Sequence, residues 1–213
     1  MLPQRHTLII FAREPLPGAV KTRLAAAVGD QLAAELYEAM LRDVLKTARQ
    51  LNDVETVVFW ACEEESLPIL AERYRCTSRR QSSGDLGQRM QKAFAEMFAS
   101  GCDVCCIIGS DAPDLPLSYI QDAFQLLETQ QADAVFGPSS DGGYYLLGLK
   151  AVLPQLFMHI PWSSAAVLEQ SLTAARESGL TAVLLPEWQD IDTVEDLNAF
   201  HERQRLAALR ETT

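Results

Sequence analysis

Cys105-Cys106-Ile107-Ile108-Gly109-Ser110-Asp111-Ala112-Pro113-Asp114 is the stretch that decides how the rest of this chain is read. Its apolar run has no helical periodicity and stops at a glycine, the pattern of a buried strand in a parallel sheet. A carboxylate follows two residues past that glycine. Open α/β sheets bind their ligands just beyond the carboxyl ends of their strands. Asp111 is therefore a candidate metal ligand, since hard cations take carboxylate oxygens and keep waters that phosphates can replace. Asp114 is open to two readings, as a second ligand or as a cap for the helix expected from Leu117.

Outward from this strand, apolar runs and amphipathic stretches alternate. Strands are expected at His6 to Ala12, Glu55 to Ala61, Val104 to Gly109, Ala132 to Gly137, Tyr144 to Leu149 and Thr181 to Leu185, with a weak one at Arg75 to Ser78. Helices are expected at Gln31 to Leu51, Ser66 to Tyr74, Leu86 to Ala99, Leu117 to Gln130, Ser163 to Ser178 and Thr193 to Leu209. Gly179 is the expected stop of the helix before it. Thr193, with Asp196 three residues on, reads as a capping signal for the last. Regular alternation implies a three-layer α/β/α sandwich around a mostly parallel sheet, as a single domain over residues 1–213. The two neighbouring strands at 132–137 and 144–149 are expected to put one antiparallel pair at a sheet edge.

The chain has 213 residues, 48% of them apolar, enough for a sizeable core. Its apolar runs are too short to span a bilayer. Arg5 and His6 lead straight into a strand without a signal-peptide pattern, so a soluble, cytoplasmic protein is expected. Disorder is expected only at Leu209 to Thr213. Eighteen basic residues against twenty-nine acidic ones give a net charge of −11. Dispersed acidic groups argue against nucleic acid as a partner. Lys21 and Arg23 instead make one short basic turn, which suits a small phosphorylated ligand. Cys102, Cys105 and Cys106 invite a metal or redox reading. Without a second matching pair, and with two of them inside an apolar strand, they read as buried thiols.

Past the first strand, Ala12-Arg13-Glu14-Pro15-Leu16-Pro17-Gly18-Ala19-Val20-Lys21-Thr22-Arg23-Leu24 holds an open loop with two prolines and a glycine. Lys21, Thr22 and Arg23 then arrive at an expected helix start, where free backbone N–H groups favour anions. The Walker phosphate loop is not matched, because Val20 stands where a glycine is required. Asp141-Gly142-Gly143-Tyr144-Tyr145 reads either as a hairpin turn or as a place where backbone approaches a ligand. Tyr144 and Tyr145 point to opposite faces. Asp190-Ile191-Asp192-Thr193 puts both carboxylates on one side if extended, and one of them could complete a metal site with Asp111. Asp85 and Ser163 are good cap residues before their helices. No Ser-His-Asp arrangement stands out around His6, His159 or His201.

Together these turns resemble the nucleotide-diphospho-sugar transferase superfamily, with its Rossmann-like glycosyltransferase-A-type fold. The motifs that carry the resemblance are Pro15 to Leu24, Gly84-Asp85-Leu86-Gly87-Gln88-Arg89-Met90, Gly109 to Pro116, Asp141 to Tyr145 and Asp190 to Thr193. Within that superfamily the chain is similar to a bacterial family described only as glycosyltransferase-like or of unknown function. Molybdenum-cofactor and phospholactate guanylyltransferases are more distant likenesses. Two features depart from the wider pattern: the first loop lacks Gly-Gly-x-Gly-x-Arg, and the carboxylate turn is Asp-x-x-Asp rather than Asp-x-Asp.

The resemblance implies a nucleotide over the amino-terminal half and a small-molecule acceptor over the other. Ala12, Arg13, Pro17, Gly18, Lys21, Thr22, Arg23, Gly84, Asp85 and Ser110 would take the nucleotide. Asp141, Gly142, Gly143, Tyr144 and Trp162 would line the acceptor side. Asp111 and Asp192 would hold Mg2+ (or Mn2+), and Lys21, Arg23 and Asp111 would carry the chemistry. The leading expectation is nucleotidyl transfer from an NTP to a small phosphorylated acceptor, releasing pyrophosphate. A glycosyltransferase using a nucleotide-sugar and a non-catalytic nucleotide-binding module are the alternatives. No nucleic acid and no membrane are expected as partners, and a homodimer is one assembly left open.

Overall fold

The computed structural model describes residues 4–211. Seven strands form one sheet: β1 (His6–Arg13), β2 (Val54–Ala61), β3 (Thr77–Arg80), β4 (Val104–Gly109), β5 (Ala134–Pro138), β6 (Tyr144–Leu149) and β7 (Ala182–Leu184). Their order is β3-β2-β1-β4-β6-β5-β7. The helices are α1 (Thr22–Val28), α2 (Asp30–Ala48), α3 (Ser66–Tyr74), α4 (Leu86–Ala99), α5 (Leu117–Glu128), α6 (Val167–Glu177) and α7 (Val194–Glu211).

Alternation along β1 divides the core. Leu8, Ile10 and Ala12 pack with Leu41 and Val44 of α2, Leu70 of α3 and Phe124 of α5. Ile9 faces the other way, with Met90 and Phe94 of α4 and Ala175 of α6. Period-two side chains against helices on both faces give the expected α/β/α layers. Cys105 and Cys106 are buried on opposite faces of β4, so they cannot converge on one metal. Cys102 is buried beside them, and all five cysteines are free.

The reversed strand is not at an edge, contrary to expectation. β6 runs antiparallel to both β4 and β5, while β7, parallel to β5, takes the edge. Tyr145 to Leu149 are all buried. A strand apolar on both faces needs neighbours on both sides and helices above and below, which only an interior position supplies. α5 carries the chain one strand position beyond β4, and the turn at 139–143 drops β6 into the gap.

Other boundaries shift for local reasons. The weak strand runs from Thr77, not Arg75, because Arg75 is the left-handed residue that ends α3. The strand expected from Ala132 starts at Ala134. The helix expected from Ser163 starts at Val167, since Ser163 sits at φ 66 and leaves the helical path. Gly179, at φ 69, does end α6, with Leu180 N–H donating back to Ala175 O at 2.9 Å. Asp85 and Gln88 form a capping box on α4. Thr193 caps α7: Asp196 N–H donates to its hydroxyl, and its own N–H donates to Asp196 Oδ2 at 2.8 Å. Helix α7 continues through Leu209 to Glu211, where disorder was expected; Thr212 and Thr213 lie outside the described residues.

Asp114 has a structural partner rather than a place beside Asp111. Its carboxylate accepts from Arg203 Nε at 2.8 Å and from Trp188 Nε1 at 3.3 Å, tying the turn after β4 to α7. Its side chain is only 8% exposed. Removing one partner of such a pair strands the other, so Asp114→Ala should cost about 3 kcal/mol in urea unfolding. Loss of less than about 1 kcal/mol would mean that this tie does not hold α7.

Candidate functional site

The site forms where the carboxyl ends of β1 and β4 meet the segment entering α7. Asp111 follows β4 directly. Ile191 is fully buried with Leu24 of α1 and Met40 of α2, and its N–H donates to Asp111 O at 3.0 Å. With Ile191 pinned inward, extended alternation turns Asp190 and Asp192 outward together. One carboxylate oxygen from each of Asp111, Asp190 and Asp192 lies within 4.8 Å of the others.

A cation already sits against this cluster. Lys21 Nζ donates to Asp192 Oδ1 at 2.6 Å and to Asp111 Oδ2 at 2.9 Å. Only 5% of the lysine side chain is exposed. Burial alone would lower its pKa, but Asp111 and Asp192 more than offset that and raise it, so the ammonium is held charged. Lys21 caps α1 in a left-handed conformation, φ 47 and ψ 47. A non-glycine residue there costs on the order of 1 kcal/mol, offset by two charge-assisted hydrogen bonds. Neighbouring Val20 is 2% exposed and packs on Ala34 and Tyr37, which fixes the loop from below.

Two cavities adjoin at this cluster. The first, about 480 Å³, is lined by Ala12, Arg13, Lys21, Thr22, Arg23, Tyr37, Gln81, Arg89, Ser110, Asp111 and Asp192, among others. Four of those residues are cations. Arg89 donates to Gln81 Oε1 at 2.9 Å, and Gln81 Nε2 donates to Phe59 O at 2.8 Å, so the far wall is rigidly bonded. Burial, and then the nearby charge of Arg13, hold the Arg89 guanidinium below its ordinary range. The Tyr37 hydroxyl accepts from Arg13 N–H and pairs with Ser110 Oγ, both at 2.8 Å, bracing the ends of β1 and β4. Arg23 is 77% exposed and only loosely approached by Asp192, at 3.9 Å.

The second cavity, about 580 Å³, is lined by Phe11, Leu86, Met90, Ile107, Leu147, Tyr144, Trp162, Ser139, Asp141, Gly143, Asp111, Asp190 and Asp192, among others, with Arg23 at its rim. Lys21 belongs only to the first cavity and Asp190 only to the second, while Asp111, Asp192 and Arg23 belong to both.

Of the residues picked out in the sequence for a nucleotide, Pro17, Gly18, Gly84 and Asp85 lie outside the lining of the first cavity. Asp85 is committed to capping α4. On the acceptor side, Asp141, Gly143, Tyr144 and Trp162 line the second cavity, but Gly142 does not. Gly142, at φ 87, meets the backbone of Ala165, where a Cβ would collide; its close approach is to protein rather than to ligand. Asp141 Oδ1 accepts from Gly143 N–H at 2.9 Å and shapes the turn. Gln81, Arg89 and Tyr37 also line the first cavity, without being expected there from the sequence. The strand-end rule points to Gln81, just past β3. Arg89 lies in the Gly84 to Met90 motif, and its place on α4 gives no local sign that it faces a cavity. Tyr37 sits on an amphipathic helix, and nothing local distinguishes it.

Three carboxylates, one from the turn after β4 and two from the segment entering α7, are a donor set for a hard cation, and the buried ammonium between two of them shows that positive charge is favoured at that point. The residues present therefore fit Mg2+ or Mn2+.

The architecture is that of the nucleotide-diphospho-sugar transferases. Residues 44–164, over half of the chain, match the family described as an uncharacterized protein conserved in bacteria (DUF2064), and the chain belongs to that family. A candidate nucleotide-diphospho-sugar transferase of Desulfovibrio desulfuricans G20 is 34% identical and superposes with a TM-score of 0.87, over 93% of this chain and 87% of that one. The 2-phospho-L-lactate guanylyltransferase of Methanothrix thermoacetophila is 28% identical over 145 residues, 67% of this chain and 59% of the relative's length. The molybdopterin-guanine dinucleotide biosynthesis protein A of Archaeoglobus fulgidus shares the fold at 14% identity and a TM-score of 0.56, over 92% of this chain and 98% of that one. Among the described residues no helix is long and apolar enough to cross a membrane.

Burial first, and then the charges of Asp111 and Asp192, push the Asp190 carboxyl up to about 6. An unfolded aspartate titrates near 3.9, so between about pH 4 and pH 6 the folded state keeps a proton that the unfolded chain loses, and stability falls as pH rises through that window. In EDTA, Asp190→Asn should be about 2 kcal/mol more stable than wild type at pH 7.5, the difference fading towards pH 4. Urea unfolding across that range checks it, and a pH-independent difference would mean that Asp190 is not the strained carboxylate.

Proposed function

We propose that this protein is a metal-dependent nucleotidyltransferase, joining the nucleotidyl group of an NTP to a small phosphorylated acceptor and releasing pyrophosphate. The observation that carries the reading is the pair of adjoining cavities, one cationic and one apolar and acidic, that share Asp111, Asp192 and Arg23. A transferase needs its two substrates to meet at one reacting centre, and this is where such a centre would lie. The guanylyltransferase relative supports the reaction type.

In this reading the triphosphate lies in the cationic cavity with Arg13, Lys21 and Arg23 towards its oxygens. Asp111, Asp190 and Asp192 would hold Mg2+ or Mn2+, which when bound supplies charge to the phosphate oxygens. An acceptor phosphate oxygen attacks the α-phosphorus; a new P–O bond forms as the bond to the bridging oxygen of the β-phosphate breaks. The electron pair leaves with pyrophosphate, whose growing charge Arg23 and Lys21 offset. A phosphomonoester loses its second proton near pH 6, so no general base is required. Among the described residues, neither cavity lining includes a histidine, in keeping with that.

Glycosyl transfer from a nucleotide-sugar is the second reading, favoured by the Desulfovibrio relative and by Asp190, a carboxylate with a raised pKa on the acceptor side that could take a hydroxyl proton.

Saturating NTP with Mg2+ should raise the melting temperature by about 5–10 °C, and EDTA should remove most of the rise. Pyrophosphate release with an acceptor should fall at least ~100-fold in Asp111→Asn. Stabilisation by a nucleotide-sugar but not by an NTP would transfer the conclusion to the glycosyltransferase. No response to either would overturn both.

A further inference from the structure

The second cavity carries information about the acceptor beyond its phosphate. Its walls come from β1 (Phe11), α4 (Leu86, Met90), β6 (Leu147) and the aromatic pair Tyr144 and Trp162. The pair is fixed rather than adaptable. Trp162 stands edge-on to Tyr144, ring centroids 6.5 Å apart at 84°, and Tyr144 is edge-on to Phe136. Trp162 also lies so close over Gly87 that a Cβ there would enter its ring. An aromatic wall seated on a helix glycine and braced from behind is a preformed surface for a flat or apolar group.

The charges on this cavity are one-sided. Asp111, Asp190 and Asp192 line its metal-facing end, Asp141 is a further carboxylate outside that cluster, and among the described residues Arg23 is its only cationic side chain. Arg23 sits at the end shared with the nucleotide cavity, where the reacting phosphate must be. A second anionic group farther into the acceptor, away from the metal-facing end, would leave its water to face Asp141 and hydrocarbon, with no cationic side chain to pair it.

We infer that the acceptor is a phosphomonoester with an uncharged, largely apolar body, an aryl or alkyl group that lies on Tyr144 and Trp162, and not a phosphorylated carboxylic acid. This rests on the nucleotidyl-transfer reading for the site of the phosphate. The aromatic wall chooses the body and Asp141 repels a second anion.

Isothermal titration of the full chain with phenyl phosphate, n-hexyl phosphate, 2-phospholactate and inorganic phosphate tests this, each with and without a non-hydrolysable NTP analogue and Mg2+. Phenyl and hexyl phosphate should bind at least ~10-fold more tightly than the other two. Trp162→Ala should abolish that preference, and its response to the NTP analogue reports whether the fold is intact. Trp162→Phe should keep most of the preference. Asp141→Asn should improve 2-phospholactate binding several-fold relative to phenyl phosphate. Equal or tighter binding of 2-phospholactate by wild type overturns the inference, as does a preference that survives Trp162→Ala. An NTP analogue that fails to bind overturns the transferase reading instead, while the preference among phosphates still decides the character of this cavity.

Discussion

A single buried ammonium holds three distant parts of this molecule in register. Lys21 Nζ bonds a carboxylate 90 positions away at the end of β4 and another 171 positions away at the entrance to α7. Two carboxylates and a third neighbour at this separation repel one another, and burial magnifies the repulsion. The ammonium relieves it, at the cost of a left-handed backbone at Lys21 and the desolvation of its side chain. The strained loop, the turn after β4 and the Asp190–Asp192 segment therefore stand or fall together. Ile191 supplies the apolar half of the same constraint, since its burial against α1 and α2 is what aims both neighbouring carboxylates at Asp111.

The ammonium also marks the border between the cavities. It faces only the cationic side, whereas Asp190 faces only the apolar side. Phosphate oxygens entering the first cavity would compete with Asp111 and Asp192 for Lys21, and a divalent cation would compete with Lys21 for the carboxylates. Nucleotide and metal are thus expected to help one another in, because each neutralises what the other uncovers. The reversed strand β6 matters here too. As an interior strand it brings Tyr144 and Leu147 beside the end of β4, so the aromatic wall of the second cavity begins where the carboxylate cluster stops.

Much of the fold was legible because its signals are local. Each strand was found within two residues of its start, and the capping pairs Asp85–Gln88 and Thr193–Asp196 are visible as spacings. The interior place of β6 is not legible in the same way, because position within the sheet is a long-range property. A hairpin spacing at 139–143 is the same whether β6 ends at an edge or inside, and only the burial of both its faces, against helices from elsewhere, selects the interior. The role of Gly142 is long-range in the same way, since its tight contact is with Ala165, a residue from a later turn.

The alternating elements, the α/β class, the strand-end carboxylate at Asp111 and the shared orientation of Asp190 and Asp192 are all written in local stretches of the chain. Each of these follows from periodicity, turn chemistry or alternation within a dozen residues. Three-dimensional packing is what buries Lys21 among carboxylates rather than leaving it free in a basic turn, gives Asp114 to Arg203 and Trp188, and turns Gln81, Arg89 and Tyr37 to the first cavity. A side chain's partners are set by which strand ends the sheet order brings together, and that order is fixed by burial summed over the whole core, which no local stretch of sequence contains.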